Sequence, residues 1–429
     1  MRARFSVLAT LLVLIPSLAR AEEFDGFKSC VLGAGDLDGD GVPDLCIASR
    51  DAESERVWAV SGRDRTLIYA LRGACKRDRF GSELARLGDL DGDGVDDLAV
   101  AARESECETR SYPHRNPCVF ATVFSGKSGC VLFELEDGWS VAAAGDVDRD
   151  GVPDILLGCP DMDCRPQPGQ ATVRSGRDGS LLLRVTNSMR VERAKSKHAG
   201  WSGQGYFGTS VCGIGDSDGD GVPDFAVGAA GPWKDGVVYS FSGRTGAVLG
   251  GLHGDSWSAN VGWTMSRCGD LDGDGRDDLL VSALHQTVLA ISTNGFRPLH
   301  HVETGSQRAW LDAFGSSLDR TDDIDGDGVD DWLVGANECQ GSFFDFGYAQ
   351  VRSGRDGDWI RNLFGSSQHG VDVANAGDVN GDGMDDHVIV MPTMKIGRIL
   401  SGRDGALLRE IDLAKLRAQS NDPDRLRTR

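Results

Sequence analysis

The chain has 429 residues, 40% of them apolar, and its 66 Asp+Glu against 45 Lys+Arg give a formal net charge of −21. That apolar share is enough for a packed core and excludes wholesale disorder, and the 58 glycines follow no Gly-X-Y period, which excludes collagen. So large an acidic excess argues against a nucleic-acid partner, whose phosphates it would repel.

The N-terminus reads as a processing signal. Arg2 and Arg4 form a basic start, Val7 to Ile15 is an apolar run too short to span a bilayer, and Ala19-Arg20-Ala21 is a small-residue cleavage site. Residues 1–21 are expected to be a signal peptide cleaved near Ala21, leaving a secreted or periplasmic chain. No later stretch is apolar enough to predict a membrane span.

Seven nine-residue acidic loops follow, beginning at Asp36, Asp89, Asp146, Asp216, Asp270, Asp323 and Asp378, at spacings of 53, 57, 70, 54, 53 and 55 residues. The pattern is D-x-D-x-D-G-x-x-D. Carboxylates at loop positions 1, 3, 5 and 9 are Asp36, Asp38, Asp40 and Asp44 in the first loop, and Asp89, Asp91, Asp93 and Asp97 in the second. The third has Asp146, Asp148, Asp150 and Asp154, and the fourth Asp216, Asp218, Asp220 and Asp224. The fifth has Asp270, Asp272, Asp274 and Asp278, and the sixth Asp323, Asp325, Asp327 and Asp331. The seventh has Asp378, Asn380, Asp382 and Asp386, the one Asn replacing an Asp. Position 6 is glycine in every loop.

Four carboxylates within nine residues repel one another unless a cation sits among them. Ca²⁺ takes six to eight oxygens in a flexible shell, whereas Mg²⁺ prefers a strict octahedron and keeps its waters. Glycine at position 6 permits the sharp turn. Position 7, which varies in side chain (Val42, Val95, Val152, Val222, Arg276, Val329, Met384), is expected to supply a backbone carbonyl. The expected cofactor is therefore Ca²⁺, up to seven ions, and they would offset much of the acidic excess. An EF-hand fails as an alternative because it needs a bidentate Glu at position 12, where this chain has Ile47, Val100, Leu157, Val227, Val281, Val334 and Ile389.

A short apolar run follows each loop, as in Leu45-Cys46-Ile47-Ala48, and reads as a buried strand. In the second period the strands are expected at Phe80 to Leu84, Leu98 to Ala101, Val119 to Phe124 and Val131 to Leu135. The last two are joined by the turn Ser125-Gly126-Lys127-Ser128-Gly129, a hairpin signal that recurs at 175–179, 353–357 and 401–405. Its G-R-D order is not the R-G-D adhesion tripeptide, and it reads as a turn. Four antiparallel strands repeated seven times predict an all-β seven-bladed β-propeller over 22–413. The blades fall near 27–74, 80–136, 138–188, 206–254, 261–303, 313–364 and 369–412, with a basic C-terminal tail at 414–429 expected to be a frayed end. A first strand near Phe27 and a last near Ala406 to Ile411 make strand exchange at the closure unnecessary.

These features resemble FG-GAP repeat proteins, the propeller type at the head of integrin α subunits. The resemblance rests on Phe80-Gly81, Phe207-Gly208, Phe314-Gly315, the seven acidic loops, and Val227-Gly228-Ala229-Ala230 and Val334-Gly335-Ala336. It implies Ca²⁺ in the loops between strands one and two of each blade, and ligand contact on the opposite face. The chain departs from the pattern at Arg149 in position 4 of loop three, at Asp322 where glycine usually precedes the loop, and at Trp139 and Trp263, read here as replacing the Phe.

Export permits disulfides. Cys107 with Cys118 and Cys159 with Cys164 are candidate local pairs, while Cys212 and Cys268 are expected to be buried thiols. Arg72, Lys76, Arg77 and Arg79, and then Arg184, Arg190, Arg193, Lys195, Lys197 and His198 near Trp201, cluster in loops expected on the face away from the metal. The sequence has no H-E-x-x-H, G-x-S-x-G or P-loop, and His300-His301 is a lone adjacent pair. The function expected is an exported calcium-binding module that binds or adheres to an extracellular protein or an acidic glycan. The alternative is a calcium-dependent, lyase-like enzyme acting on acidic polysaccharide.

Overall fold

The computed structural model describes residues 31–428 apart from 50–55, 74–78, 104–118, 161–167, 187–205, 231–235, 255–259, 284–286, 304–311, 339–346, 364–370, 392–394 and 422–425. The signal segment, the start at Phe27, and Cys107, Cys118, Cys164, Lys76, Arg77, Arg190, Arg193, Lys195, Lys197, His198 and Trp201 lie outside the described residues.

The described strands form seven antiparallel sheets, each built from four strands in chain order. Blade one is Val31–Gly35, Asp44–Ala48, Arg56–Val60 and Leu67–Arg72, and blade seven is Asp372–Gly377, Asp386–Met391, Ile396–Leu400 and Leu407–Asp412. The first strands touch in cyclic order, and that of blade one meets that of blade seven, so the sheets close into a seven-bladed ring. The second strands follow their opening aspartate with a mainly apolar run because both of their faces are covered. Asp97–Arg103 and Asp386–Met391 are buried at every residue. The fourth strands are the least buried and leave Leu181, Val248, Leu249, Trp359 and Leu407 exposed at the rim.

The apolar cores lie between blades. Ala85, Leu87, Val123 and Leu135 of blade two pack with Val141, Ile155 and Leu157 of blade three. Phe207, Phe225 and Phe241 of blade four pack with Leu156, Val173 and Val185 of blade three. No blade has a core of its own, so repetition and ring closure are conditions of stability.

Neighbouring blades also meet at loop position 8, and here the repeat uses two chemistries. In blades one, three and four that residue is proline, and Pro43, Pro153 and Pro223 press on Gly377, Gly88 and Gly145 of the blade before, within 2.8–2.9 Å of where a Cβ would stand. In the other blades it is aspartate. Three of these aspartates bond within their own blade, Asp96 to Arg86 (2.7 Å), Asp277 to Arg267 (3.0 Å) and Asp385 to Asn375 Nδ2 (2.6 Å), while Asp330 of blade six lies 2.7 Å from where a Cβ on Gly269 of blade five would stand.

Glycine before the loop bends the first strand. Gly35, Gly88, Gly145, Gly215 and Gly377 have φ between 69° and 91°, each at a break in strand register. Blade six carries Asp322 there, and its strands stay in register to Thr321↔Asp331. The Asp322 carboxylate instead accepts the Asp385 amide of blade seven at 2.7 Å.

Three expectations need correction. The C-terminal tail is not frayed. Leu413–Gln419 is a helix capped by Asp412, with Leu413 and Leu416 buried, and Leu426–Thr428 adds a fifth, parallel strand to Leu67–Arg72 of blade one. Arg56 donates to the Ser420 carbonyl (2.6 Å) and to Asn421 Oδ1 (3.2 Å), so the tail ties blade seven to blade one. Apolar residues at the helical spacing 413 and 416 were a legible signal for this docking. Trp139 and Trp263 do not replace the Phe. They follow Gly138 and Gly262, which share the left-handed backbone of Gly81 and Gly208, and the Phe position is held by Asp137 and Val261. Arg184 lies in the outer strand Leu181–Thr186 rather than in the insertion before blade four. Cys212 and Cys268 are buried, and burial pushes both thiols up.

Candidate metal centres on one face of the ring

Each acidic loop joins the first and second strands of its blade, so all seven lie on one face. The loops fold on their own carboxylates. In loop one, Asp36 Oδ1 accepts the amides of Gly39 (2.8 Å) and Asp40 (3.0 Å), and Asp36 Oδ2 that of Gly41 (2.8 Å). Asp38 Oδ1 accepts Asp40 N (3.1 Å), and Asp40 Oδ1 accepts Val42 N (2.9 Å). The same set recurs around Asp89, Asp216, Asp270, Asp323 and Asp378. The curl needs left-handed backbone at positions 4 and 6. Glycine supplies it everywhere except at Arg149, which is held at φ 65°.

Position 9 stands apart from the others. Asp44 is fully buried, with Oδ2 accepting Leu37 N (2.8 Å) and Asp38 N (3.3 Å) and Oδ1 accepting Gly62 N (3.0 Å) from the hairpin between strands three and four. Asp97, Asp154, Asp224, Asp331 and Asp386 are bound in the same way. Burial pushes Asp44, Asp278 and Asp331 up to about 7 and Asp97, Asp154 and Asp386 up to about 6, against the pull of these amides.

The carboxylates converge. One oxygen from each of Asp89, Asp91 and Asp97 lies within 4.8 Å of the others, and the same holds for Asp146, Asp148 and Asp154, for Asp216, Asp218 and Asp224, and for Asp270, Asp272 and Asp278. In loop one the converging set is Asp36, Asp38 and Asp40. Asp38, Asp218 and Asp325, all at position 3, are held above the ordinary carboxylate range, by burial first and then by neighbouring carboxylates. Three hard oxygen donors in mutual reach, destabilised by their own charge, suit a hard divalent cation. In loop seven, Asn380 presents Oδ1 to Asp382 N (2.8 Å) and Nδ2 to Asp386 Oδ1 (3.3 Å).

The hairpin read from the sequence as an ordinary turn is the second half of each centre. Its glycine (Gly62, Gly126, Gly176, Gly243, Gly354, Gly402) donates its amide to position 9, and a Cβ there would stand 1.8–2.0 Å from the position-8 carbonyl. Blade five has Thr293 instead, and its hydroxyl donates to that carbonyl, Asp277 O, at 2.8 Å. The next residue is basic. Arg63, Arg177, Arg244, Arg355 and Arg403 place Nε on the position-5 carboxylates Asp40, Asp150, Asp220, Asp327 and Asp382 at 2.6–3.4 Å, while Lys127 donates to Asp93 O (3.1 Å). The arginine partner holds Asp150 and Asp220 below the usual carboxylate range. Recurrence of S-G-[R/K] in six of the seven hairpins was the signal that could have found these residues. In blade five the arginine comes from the outer strand, and Arg297 pairs with Asp272 at position 3 (2.7 Å).

No family model matches the chain. Among curated proteins it is similar to integrin alpha-PS2 of Drosophila melanogaster, 31% identical over 209 residues that cover 46% of this chain and 14% of that one. It is also similar to integrin alpha-5 of Xenopus laevis, 31% identical over 200 residues covering 41% and 18%. The chain is an FG-GAP β-propeller. It spans less than a fifth of the length of these two relatives. Among solved structures the propeller is similar to the rhamnogalacturonan lyase YesW, at a TM-score of 0.44 and 16% identity, covering 90% of this chain and 72% of that one. Among the described residues no helix is long and apolar enough to cross a membrane.

On the opposite face of the FG-GAP propeller, where first strands begin, the Arg103 guanidinium stacks 4.0 Å over the Trp139 ring and donates to the Trp139 carbonyl (3.2 Å). Glu83 lies 3.7 Å from the same guanidinium.

Proposed function

We propose that this FG-GAP propeller is an exported binding or adhesion module that takes Ca²⁺ in its seven acidic loops and meets an extracellular protein or an acidic glycan on the opposite face. The observation that carries the metal reading is the convergence of carboxylate oxygens within 4.8 Å in loop after loop. Each ion would be held by positions 1, 3, 5 and 9 and the carbonyl of position 7. It would neutralise carboxylates that otherwise repel, fixing the loop between two strands of its blade. The position-9 aspartate would hold its amides and the ion together, the hairpin arginine screening position 5 from the solvent side.

The binding role draws on the likeness to integrin alpha chains and on the division of labour between the two faces. One face is occupied by self-satisfied loops. The other carries the variable connections and the Arg103–Trp139 stack. The test is a calcium titration of the mature chain by calorimetry, followed by retention assays in calcium on a panel of acidic polysaccharides and extracellular-matrix proteins. Several binding steps lost in chelator, with calcium-dependent retention on one class of ligand, are the expected outcome. Heat exchange at no more than one site would remove the metal reading. New polysaccharide chain ends in the same assay would make the protein an enzyme instead.

A further inference from the structure

Loops one and four carry the same donors and the same spacing: D-x-D-G-D-G-V-P-D, differing only in Leu37 against Ser217. Their surroundings differ. Loop one is reached by the arginine of its own hairpin, Arg63. Loop four is reached by three. Its own Arg244 pairs with Asp220 Oδ2 (2.7 Å) and donates to Asp220 O (2.6 Å). Arg149, from loop three, donates Nη2 to the same Asp220 carbonyl (3.2 Å). Arg276, from loop five, donates Nη1 to Ser217 O (2.5 Å). Among the described residues no other acidic loop takes hydrogen bonds from the arginines of both flanking loops.

Neither visiting arginine serves the loop that carries it. Arg149 stands at position 4, where the other six loops have glycine, and it occupies the left-handed backbone that glycine supplies there. Arg276 stands at position 7, where the other loops have Val or Met. Both are departures from the repeat, and both point into the same neighbour. An Arg149 nitrogen lies 2.8 Å from where a Cβ on Gly221 would be, so a side chain there would displace it, and an Arg276 nitrogen lies in ordinary contact range, 3.5 Å, of where a Cβ on Gly219 would be.

Resting on the calcium reading above, we propose that loop four is a weak calcium site, gated by its neighbours. Arg244 already pairs with Asp220, and two further guanidinium groups sit on the loop's backbone carbonyls, so a divalent cation must enter against more positive charge than at loop one. Each visiting arginine is expected to weaken the site on the order of tenfold relative to loop one, a Coulomb effect reduced but not abolished by solvent. The same contacts tie loops three, four and five together without metal. Filling loop four then loosens Arg149 and Arg276, and by reciprocity the state of loops three and five sets the affinity of loop four.

The test uses the intact mature chain and replaces each visitor by the residue that other loops carry. Calcium titrations by calorimetry would compare the parent with Arg149→Gly, Arg276→Val and the double variant, and Asp218→Asn would identify the loop-four step. Arg276→Met keeps an unbranched side chain without charge, should valine disturb packing, and melting in excess calcium checks that each variant is folded. In the parent, Asp218→Asn should remove the weakest step. In the double variant one step should tighten by tenfold or more, and Asp218→Asn should now remove that tightened step. Steps unchanged within twofold in the double variant, or loss of a tight step on Asp218→Asn in the parent, would overturn the proposal. Absence of calcium binding in every variant would instead defeat the calcium reading on which it rests.

Discussion

The two ends of each acidic loop carry the same residue and do different work. At position 9, Asp97 is fully buried and accepts Leu90 N (2.7 Å), Asp91 N (3.3 Å) and Gly126 N (2.9 Å), which joins the loop to the third and fourth strands. Four residues earlier, Asp93 is half-buried on the face of the ring and accepts only Val95 N (3.0 Å) from its own loop. Backbone amides fill the buried end with or without metal. The exposed end depends on a cation, either Ca²⁺ or the basic residue of the hairpin. One motif thus contains a carboxylate that holds the fold and also joins the converging oxygens, Asp97, and one that faces the solvent side, Asp93, and spacing alone does not separate them.

The largest expected effect comes from emptying the ion-facing ends of all the loops at once. A site kept at a hundredfold excess over its dissociation constant contributes about 2.7 kcal/mol. Removing calcium from several sites should therefore lower the apparent melting temperature by on the order of 10 °C or more, even though so large a ring shifts less per kcal/mol than the about 2–4 °C of domains of 150–250 residues. Differential scanning calorimetry in calcium and in excess chelator measures it, and coincident melting curves would contradict metal binding. The chelated chain should still fold, because position 9 keeps its amides.

Next in size is the loss of one buried end. Asp97→Ala leaves three amides without an acceptor, at about 1–3 kcal/mol for each one that stays dry. It should cost about 3–5 kcal/mol in chelator and more in calcium, where a converging oxygen is lost as well, whereas Asp93→Ala should cost under about 1 kcal/mol in chelator and show its effect only when calcium is present. Equal losses for the two variants in chelator would erase the distinction between the two ends.

Acidity sharpens the comparison without a mutation. In the metal-free chain burial pushes six position-9 carboxyls, Asp44, Asp97, Asp154, Asp278, Asp331 and Asp386, up to about 6 to 7, well above their ordinary range in an unfolded chain. A raised folded value contributes stability below the unfolded value, and this is lost as pH rises through 6 to 7. The chelated protein should therefore melt lower at pH 8 than at pH 5. Calcium needs the deprotonated form, so its affinity should fall as pH drops below about 7. The gap between the two melting temperatures should be wide at pH 8 and narrow at pH 5. A gap that widens toward pH 5 would show that position 9 does not control the ion.

The ring itself was legible in the sequence because seven loops with invariant glycine at position 6 mark the same strand junction, and apolar runs such as Leu98 to Ala102 announce strands covered on both sides. The loop ligands were legible for the same reason. Less legible were the features made by pairing across the chain. Gly126 meets Asp96 only after two intervening strands, and Arg149 meets Asp220 only across a blade boundary. The docking of Leu426–Thr428 beside Ala70–Arg72 needs a partner more than 350 residues away. Trp139 was misplaced because the aromatic next to glycine was aligned by chemistry. Strand pairing sets the true register, with Ser140 opposite Gly158 as Glu83 is opposite Ala101, which places Gly138 at the position of Gly81.

The smallest expected effect probes the exposed end alone. Arg63 pairs with Asp40 at 2.6 Å, yet the two side chains are 57% and 27% exposed. Water and salt screen such a pair, so it contributes at most about 0.5–1 kcal/mol. Arg63→Ala should therefore barely move the melting temperature in chelator. The same change frees Asp40 Oδ2 and removes a positive charge beside loop one, whose converging oxygens include Asp40. Calcium affinity at that loop should rise a fewfold, most clearly at low ionic strength, as read by calorimetry against an Asp38→Asn control. A stability loss above about 2 kcal/mol in chelator would mean that the exposed end, too, holds the fold, and the division between the two ends of the loop would fail at the position where it is most exposed to solvent.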